Sequence, residues 1–100
     1  MSAVALPFGT FYETVAASQT AQVLGATGAA GDTLMRVIVT VGTALTGTVA
    51  LLDGATSYAI TAASTPIGVY QIEIGAVSVN GAWKITTGAG ATVLAVGNFT

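Results

Sequence analysis

The sequence contains no cysteine and no histidine among its 100 residues. Zinc sites built on thiolates and imidazoles, disulfide bonds and imidazole acid–base catalysis are therefore excluded together. Domains typically have about 50–250 residues, so a chain of this length forms one small domain. These absences argue against most enzyme classes, and we expect no metal or organic cofactor.

Charge is equally scarce. The chain has two basic and four acidic residues and a formal net charge of −2, whereas about a quarter of the residues in an ordinary soluble domain are charged. The charged residues stand singly along the chain: Glu13, Asp32, Arg36, Asp53, Glu73 and Lys84. Nucleic acids and anionic membrane surfaces attract clusters of lysine and arginine. We therefore expect neither as a partner.

The strongest candidate for a membrane-spanning run, residues 37–52, is short and rich in Thr and Gly. A spanning helix needs about 20 apolar residues, and Thr and Gly favour strands and turns. The N-terminal residues before Pro7 lack the Lys or Arg of a secretory signal. The sequence thus predicts a protein that is made and folded in the cytoplasm.

Alternation of apolar and polar residues is widespread, whereas helical periodicity is weak. Residues 69–74 alternate most clearly, which predicts a strand with one apolar and one polar face. Residues 34–41 also alternate and predict a strand. Its expected core face comprises Met35, Val37, Val39 and Val41.

Turn residues divide the rest of the chain into short strands. Asp53-Gly54 predicts a hairpin between residues 48–52 and 57–62, and Asn80-Gly81 predicts a second between 76–79 and 82–87. A final strand over 91–99 gives six or seven strands in all. This pattern is typical of a small antiparallel β-sandwich, jelly-roll or immunoglobulin-like, because periodicity does not specify strand order.

The first 31 residues differ from the rest in carrying aromatic side chains next to proline and glycine. Thr10 and Glu13 have the spacing of a helix capping box, but residues 20–24 alternate as a strand does, and the alternation favours the strand. We predict an N-terminal docking arm over residues 1–17 and a β-sandwich domain over 18–100. The expected docking residues are Leu6, Phe8, Phe11, Tyr12 and Val15.

Trp83 is the single tryptophan and has two interpretations, a core residue of the sandwich, which we favour, or an interface anchor. Asp32 and Asp53 fall at predicted turns, where aspartate bonds the backbone. Glu73 could face Lys84 or Arg36 across the sheet. With no base to activate a Ser or Thr hydroxyl, we expect no enzymatic activity.

Two segments carry a resemblance to known proteins. Residues 18–25 (SQTAQVLG) and 27–34 (TGAAGDTL) resemble the opening of small virion proteins of tailed bacteriophages. Residues 81–90 (GAWKITTGAG) with 96–99 (VGNF) resemble their final hairpin. The resemblance implies a structural role on the phage particle. Decoration, or cement, proteins of this kind are small and β-rich, and they bind the capsid exterior, often as trimers.

The weakly charged surface points the same way. Six charges leave little repulsion between copies, which favours a homo-oligomer, with the trimer expected from the resemblance, or burial against a large partner. We expect a virion protein that binds the major capsid protein or other virion subunits on the capsid exterior. The alternative is a head-fibre or tail-appendage adhesin that meets a host surface through loops such as residues 61–68.

Overall fold

The computed structural model describes residues 11–43 and 47–100, which form β-strands and no helix. The strands within these ranges are β1 (Phe11–Val15), β2 (Gln22–Val23), β3 (Thr33–Val41), β4 (Val49–Asp53), β5 (Thr56–Thr61), β6 (Gly68–Val77), β7 (Trp83–Thr86) and β8 (Ala91–Asn98). The predicted all-β fold is confirmed. The described residues contain eight strands, one or two more than the alternation predicts.

The strands form two four-stranded antiparallel sheets. Sheet A has the order β1-β8-β3-β6, and sheet B has the order β2-β7-β4-β5. The pairs β1–β8, β2–β7, β3–β6 and β4–β5 are all antiparallel, so the chain resembles one long hairpin wrapped into two layers. This order is that of a jelly roll. An immunoglobulin-like sandwich would keep its first two strands in one sheet.

One hydrophobic core fills the space between the sheets. Alternate residues of β4, β7 and β8 are buried, as the period of two requires. The buried side chains are Val15, Leu24, Leu34, Val37, Val39, Val41, Val49, Leu51, Trp83, Ile85, Ala91, Val93 and Ala95. The predicted β-sandwich is confirmed.

The predicted core face of β3 is wrong at one residue. Val37, Val39 and Val41 are buried as expected, but Leu34 is buried in place of Met35, which is half-buried. Leu34 pairs with Gly97 and Arg36 with Val96, so β3 has one extra residue relative to β8 at this point. Such a bulge reverses the alternation on one side of it, which turns Leu34 inward.

The Asp53-Gly54 hairpin is confirmed, with Gly54 and Ala55 as its two-residue loop. Gly54 has φ +63°, and a Cβ there would lie 2.6 Å from the backbone oxygen of Asn80. The Asn80-Gly81 hairpin is wrong. Strand β6 extends to Val77 and pairs with β3, whereas β7 pairs with β4 and β2, so residues 78–82 cross from one sheet to the other.

The N-terminal region contributes an edge strand to each sheet. Strand β1 pairs with β8 at one edge of sheet A, and β2 pairs with β7 at one edge of sheet B. The strand preferred over residues 20–24 is present, at Gln22–Val23. The rest of the predicted arm, residues 1–10, lies outside the described residues. Within the described ranges no helix has the length and apolar character to cross a membrane.

Candidate interaction surface

The expected docking residues occupy different environments. Leu6 and Phe8 lie outside the described residues, as does the side chain of Phe11. Tyr12 is 70% exposed on β1, whereas Val15 is 0% exposed and belongs to the core. Of the docking residues that the structure describes, Tyr12 therefore has the side chain available to a partner.

Trp83 lies in the core. Its side chain is buried, and the indole Nε1–H donates a hydrogen bond of 2.9 Å to the backbone oxygen of Asp32. A buried indole needs such an acceptor. Trp83 thus joins the sandwich core to the chain just before β3.

The two aspartates hold loops at one end of the sandwich. The Asp32 carboxylate accepts hydrogen bonds from the backbone N–H of Ala29 at 3.1 Å and of Thr100 at 3.0 Å, and from the Thr100 hydroxyl. Both oxygens are therefore occupied by groups of the chain itself. This arrangement agrees with a turn residue rather than a catalytic acid.

Asp53 does the same for the crossing between β6 and β7. Its buried carboxylate accepts from the backbone N–H of Val79 at 3.1 Å and of Asn80 at 3.0 Å. One side chain therefore pairs two backbone donors of the crossing. The described residues contain no group of three or more Asp or Glu side chains that could hold a metal ion.

Glu73 faces Arg36 across the sheet, one of the two partners expected for it. Arg36 Nε lies 2.9 Å from Glu73 Oε2, and Gln71 Nε2 donates to the same oxygen at 3.1 Å. The Arg36 guanidinium, followed by the Gln71 amide, lowers the pKa of Glu73 below its ordinary value. The pair neutralises itself on an exposed face.

The solvent-facing side of sheet A, which we call outer face A, has an apolar centre. Sheet register places Tyr12, Val96, Arg36 and Glu73 in one row and Thr14, Leu94, Ile38 and Gln71 in the next. Val96, Leu94 and Ile38 are half-buried at its centre, and Val69 is 67% exposed at its edge. The exposed face of an antiparallel sheet is normally polar. Outer face A therefore has the composition of a contact surface.

The sequence did not reveal this face, because Gln71 and Glu73 alone suggested that one side of residues 69–74 is polar. Val69 and Val77 share that side, and both are exposed. Exposed Ile67 lies immediately before β6, and exposed Val79 lies two residues after its end. Their odd-numbered spacing along β6 is visible in the sequence, but only the strand order shows that they border the face that carries Tyr12.

No protein-family model, curated protein sequence or solved structure matches this chain.

Proposed function

We propose that this protein is a virion structural protein of a tailed bacteriophage, a decoration protein that binds the outside of the head and stabilises it. Its partner is the major capsid protein or another virion subunit, and its site of action is the capsid exterior. It performs no catalysis and binds no nucleic acid or membrane. The observation that carries the proposal is outer face A, whose centre is apolar and whose ion pair, Arg36 with Glu73, neutralises itself.

The resemblance of residues 18–25, 27–34, 81–90 and 96–99 to small phage virion proteins supports the same role. A jelly roll by itself does not, since one fold serves many functions. Val96 belongs both to the resembling segment 96–99 and to outer face A, so the two lines of support share this residue.

Stabilisation follows from linkage. A protein that binds the assembled shell, and not its separated subunits, adds its binding free energy to the work of opening the shell. Exposed Tyr12 provides a large anchor with an apolar ring and a polar end, a residue type enriched at interface hot spots. Half-buried Leu94 and Ile38 extend the contact across the sheet.

The first experiment measures binding of the recombinant chain to shells assembled from the capsid protein of the phage that encodes it, by co-sedimentation. We expect binding, and a higher temperature of shell disassembly when the chain is bound. Removal of residues 1–10 tests the arm. The deletion should stop at residue 10, because β1 pairs with β8 and Val15 is in the core. Retained binding by this deletion would remove the arm from the docking site.

A matched pair of substitutions tests outer face A. Tyr12→Ser removes its exposed anchor, whereas Tyr58→Ser removes a tyrosine that is 53% exposed on β5, in the other sheet. We expect Tyr12→Ser to weaken shell binding and Tyr58→Ser to leave it unchanged. Equal effects would contradict docking through this face. Electron microscopy of labelled chains bound only at tails would favour the adhesin alternative instead.

A further inference from the structure

Strand β6 is a long free edge. It ends the order of sheet A, and within the described residues its outer side has no neighbouring strand. It runs for ten residues, compared with five in β1 and two in β2, which are the edges on the other side of the sandwich. The remaining edge strand, β5, has six residues and a register shift opposite Val49 and Ala50. Strand β6 therefore offers the longest template for pairing.

The backbone groups that face this free edge follow from the ladder. Gly42 N–H donates to Gly90 O at 2.8 Å, so the backbone groups of Gly42 are directed toward β8. The backbone N–H and C=O groups of successive residues in a strand are directed alternately to its two neighbouring strands. The backbone groups of Val39 are therefore directed toward β6, where Val39 pairs with Tyr70. The N–H and C=O groups of Val69, Gln71 and Glu73 consequently point away from β3, toward the open edge.

The usual protection of an edge strand is incomplete here. Natural edges are blocked by lysine, proline, bulges or covering loops. Strand β6 contains no lysine and no proline, and Glu73 is its single charge. Gly75, at φ +61°, forms a bulge where two residues of β6 oppose Met35 of β3. The regular part of the edge is therefore residues 68–74.

That regular segment is complementary to itself. A two-fold axis at Gln71 pairs it antiparallel with a second copy, so that Gln71 faces Gln71 and Val69 faces Glu73. All three outward-pointing residues then form hydrogen-bonded pairs. The two Glu73 carboxylates stay about 13 Å apart, at four residues of strand rise. On the inward side, half-buried Tyr70 lies opposite half-buried Ile72.

Charge also favours a second copy as the occupant. Each Glu73 keeps its own Arg36 at 2.9 Å, so the paired segments bring no uncompensated charges together. A net charge of −2 gives little repulsion between whole chains. We propose that two copies of this chain associate through the free edges of β6, with the two-fold axis at Gln71, to form a continuous eight-stranded sheet. The pairing is independent of whether the protein binds a phage shell.

Light scattering of the full chain during size-exclusion chromatography tests the association. We expect about twice the 9.8 kDa mass of one chain. Gln71→Lys places two lysines opposite each other on the axis and should raise the dimer dissociation constant by about tenfold or more. Thr14→Lys puts the same charge on β1, the strand at the opposite end of sheet A, and should leave the dimer intact. Circular dichroism checks that both variants fold.

A second variant keeps the test decisive if lysine is accommodated. Gln71→Pro removes an N–H that points to the free edge but breaks no hydrogen bond to β3, so the sheet is retained while pairing between copies is lost.

Because the chain has no cysteine, Gln71→Cys introduces a unique thiol. Across the axis the Cα atoms lie about 5.5 Å apart in such a pair, within disulfide range. Oxidation should therefore link Gln71→Cys chains and leave Val69→Cys chains unlinked.

Several outcomes would overturn the dimer. A monomer at all concentrations, a mass of three chains, or a dimer unaffected by both Gln71→Lys and Gln71→Pro would each do so.

Discussion

The two lateral sides of the sandwich are built differently. On the side of β1 and β2, which we call the closed side, Val15 and Leu24 are fully buried. There the Glu13 carboxylate accepts from Gly25 N–H at 2.7 Å and from Gln22 Nε2 at 3.3 Å, and so ties the two sheets together. On the side of β5 and β6, the open side, none of the ten residues of β6 is fully buried.

The difference does not come from the number of charges, since β1 and β2 together carry one glutamate, Glu13, and β5 and β6 together carry one, Glu73. The closed side is completed by short edge strands that are linked by the Gln22 amide, which donates to the Glu13 carboxylate and to the backbone oxygen of Thr14. The open side retains a long strand, β6, that has no neighbour on its outer side within the described residues and that carries half-buried Ile72 and Ile74. A chain with few charges can leave apolar residues half-exposed in this way where a partner covers them.

Shortening an apolar side chain on each side should give the largest difference in unfolding free energy between the closed and open sides. Leu24→Ala on the closed side removes a fully buried side chain and should lower the free energy of unfolding by about 2–5 kcal/mol. Ile60→Ala on the open side removes a half-buried side chain, and about 1 kcal/mol is expected. Urea denaturation of both variants measures the difference. Equal losses would mean that the open side is as tightly packed as the closed side.

The open side depends instead on its turn. Gly54 has a positive φ, and an added Cβ would contact the Asn80 backbone at 2.6 Å. Gly54→Ala should therefore destabilise the protein by about 1–3 kcal/mol, the usual strain of such a residue. Gly88→Ala is the control, because nothing lies within 4 Å of a Cβ there. Thermal unfolding of the pair gives the result, and a neutral Gly54→Ala would show that the crossing can shift.

Glu13 provides a smaller test of the closed side. Glu13→Ala leaves Gly25 N–H without its acceptor, and we expect a loss of about 1–2 kcal/mol. Glu13→Gln keeps an oxygen in the same place and should recover part of that loss. Hydrogen exchange at Gly25 reports the bond directly. Unchanged protection in Glu13→Ala would mean that another acceptor replaces the carboxylate.

Most strands could be predicted because alternation is a local signal. The strands around Val37, Ile72 and Ile85 were each visible as a period of two. The burial of Leu34 instead of Met35 could not be predicted. It results from a bulge in the pairing of β3 with β8, which lies more than fifty residues away in the sequence.

Beyond the β4–β5 hairpin, strand partners could not be predicted, since turn chemistry reports only neighbours in sequence. Asn80-Gly81 has the composition of a hairpin turn, yet the buried carboxylate of Asp53 holds these residues in a crossing between sheets. Outer face A could not be predicted for the same reason. Tyr12 and Val69 join one face only when β1, β8, β3 and β6 are placed side by side.

The smallest expected effect is on the open side, at the exposed ion pair of Arg36 and Glu73. Because Arg36 lowers the folded-state pKa of Glu73, the pair stabilises the fold at pH values above the ordinary glutamate pKa of 4.5. That contribution is lost as the pH falls through the lowered pKa, when the carboxylate becomes protonated. Native protein should thus melt slightly above Glu73→Gln near neutral pH, and the two melting temperatures should converge in acid.

Salt provides the control for this pair, since screening weakens exposed charges. The difference between native protein and Glu73→Gln should shrink at high ionic strength, while the difference caused by Leu24→Ala should persist. A gap that stays constant from neutral to acid pH would show that Glu73 acts through packing rather than charge. The open side would then owe its stability to contacts along β6, and adding charge at Gln71 would alter folding as well as association.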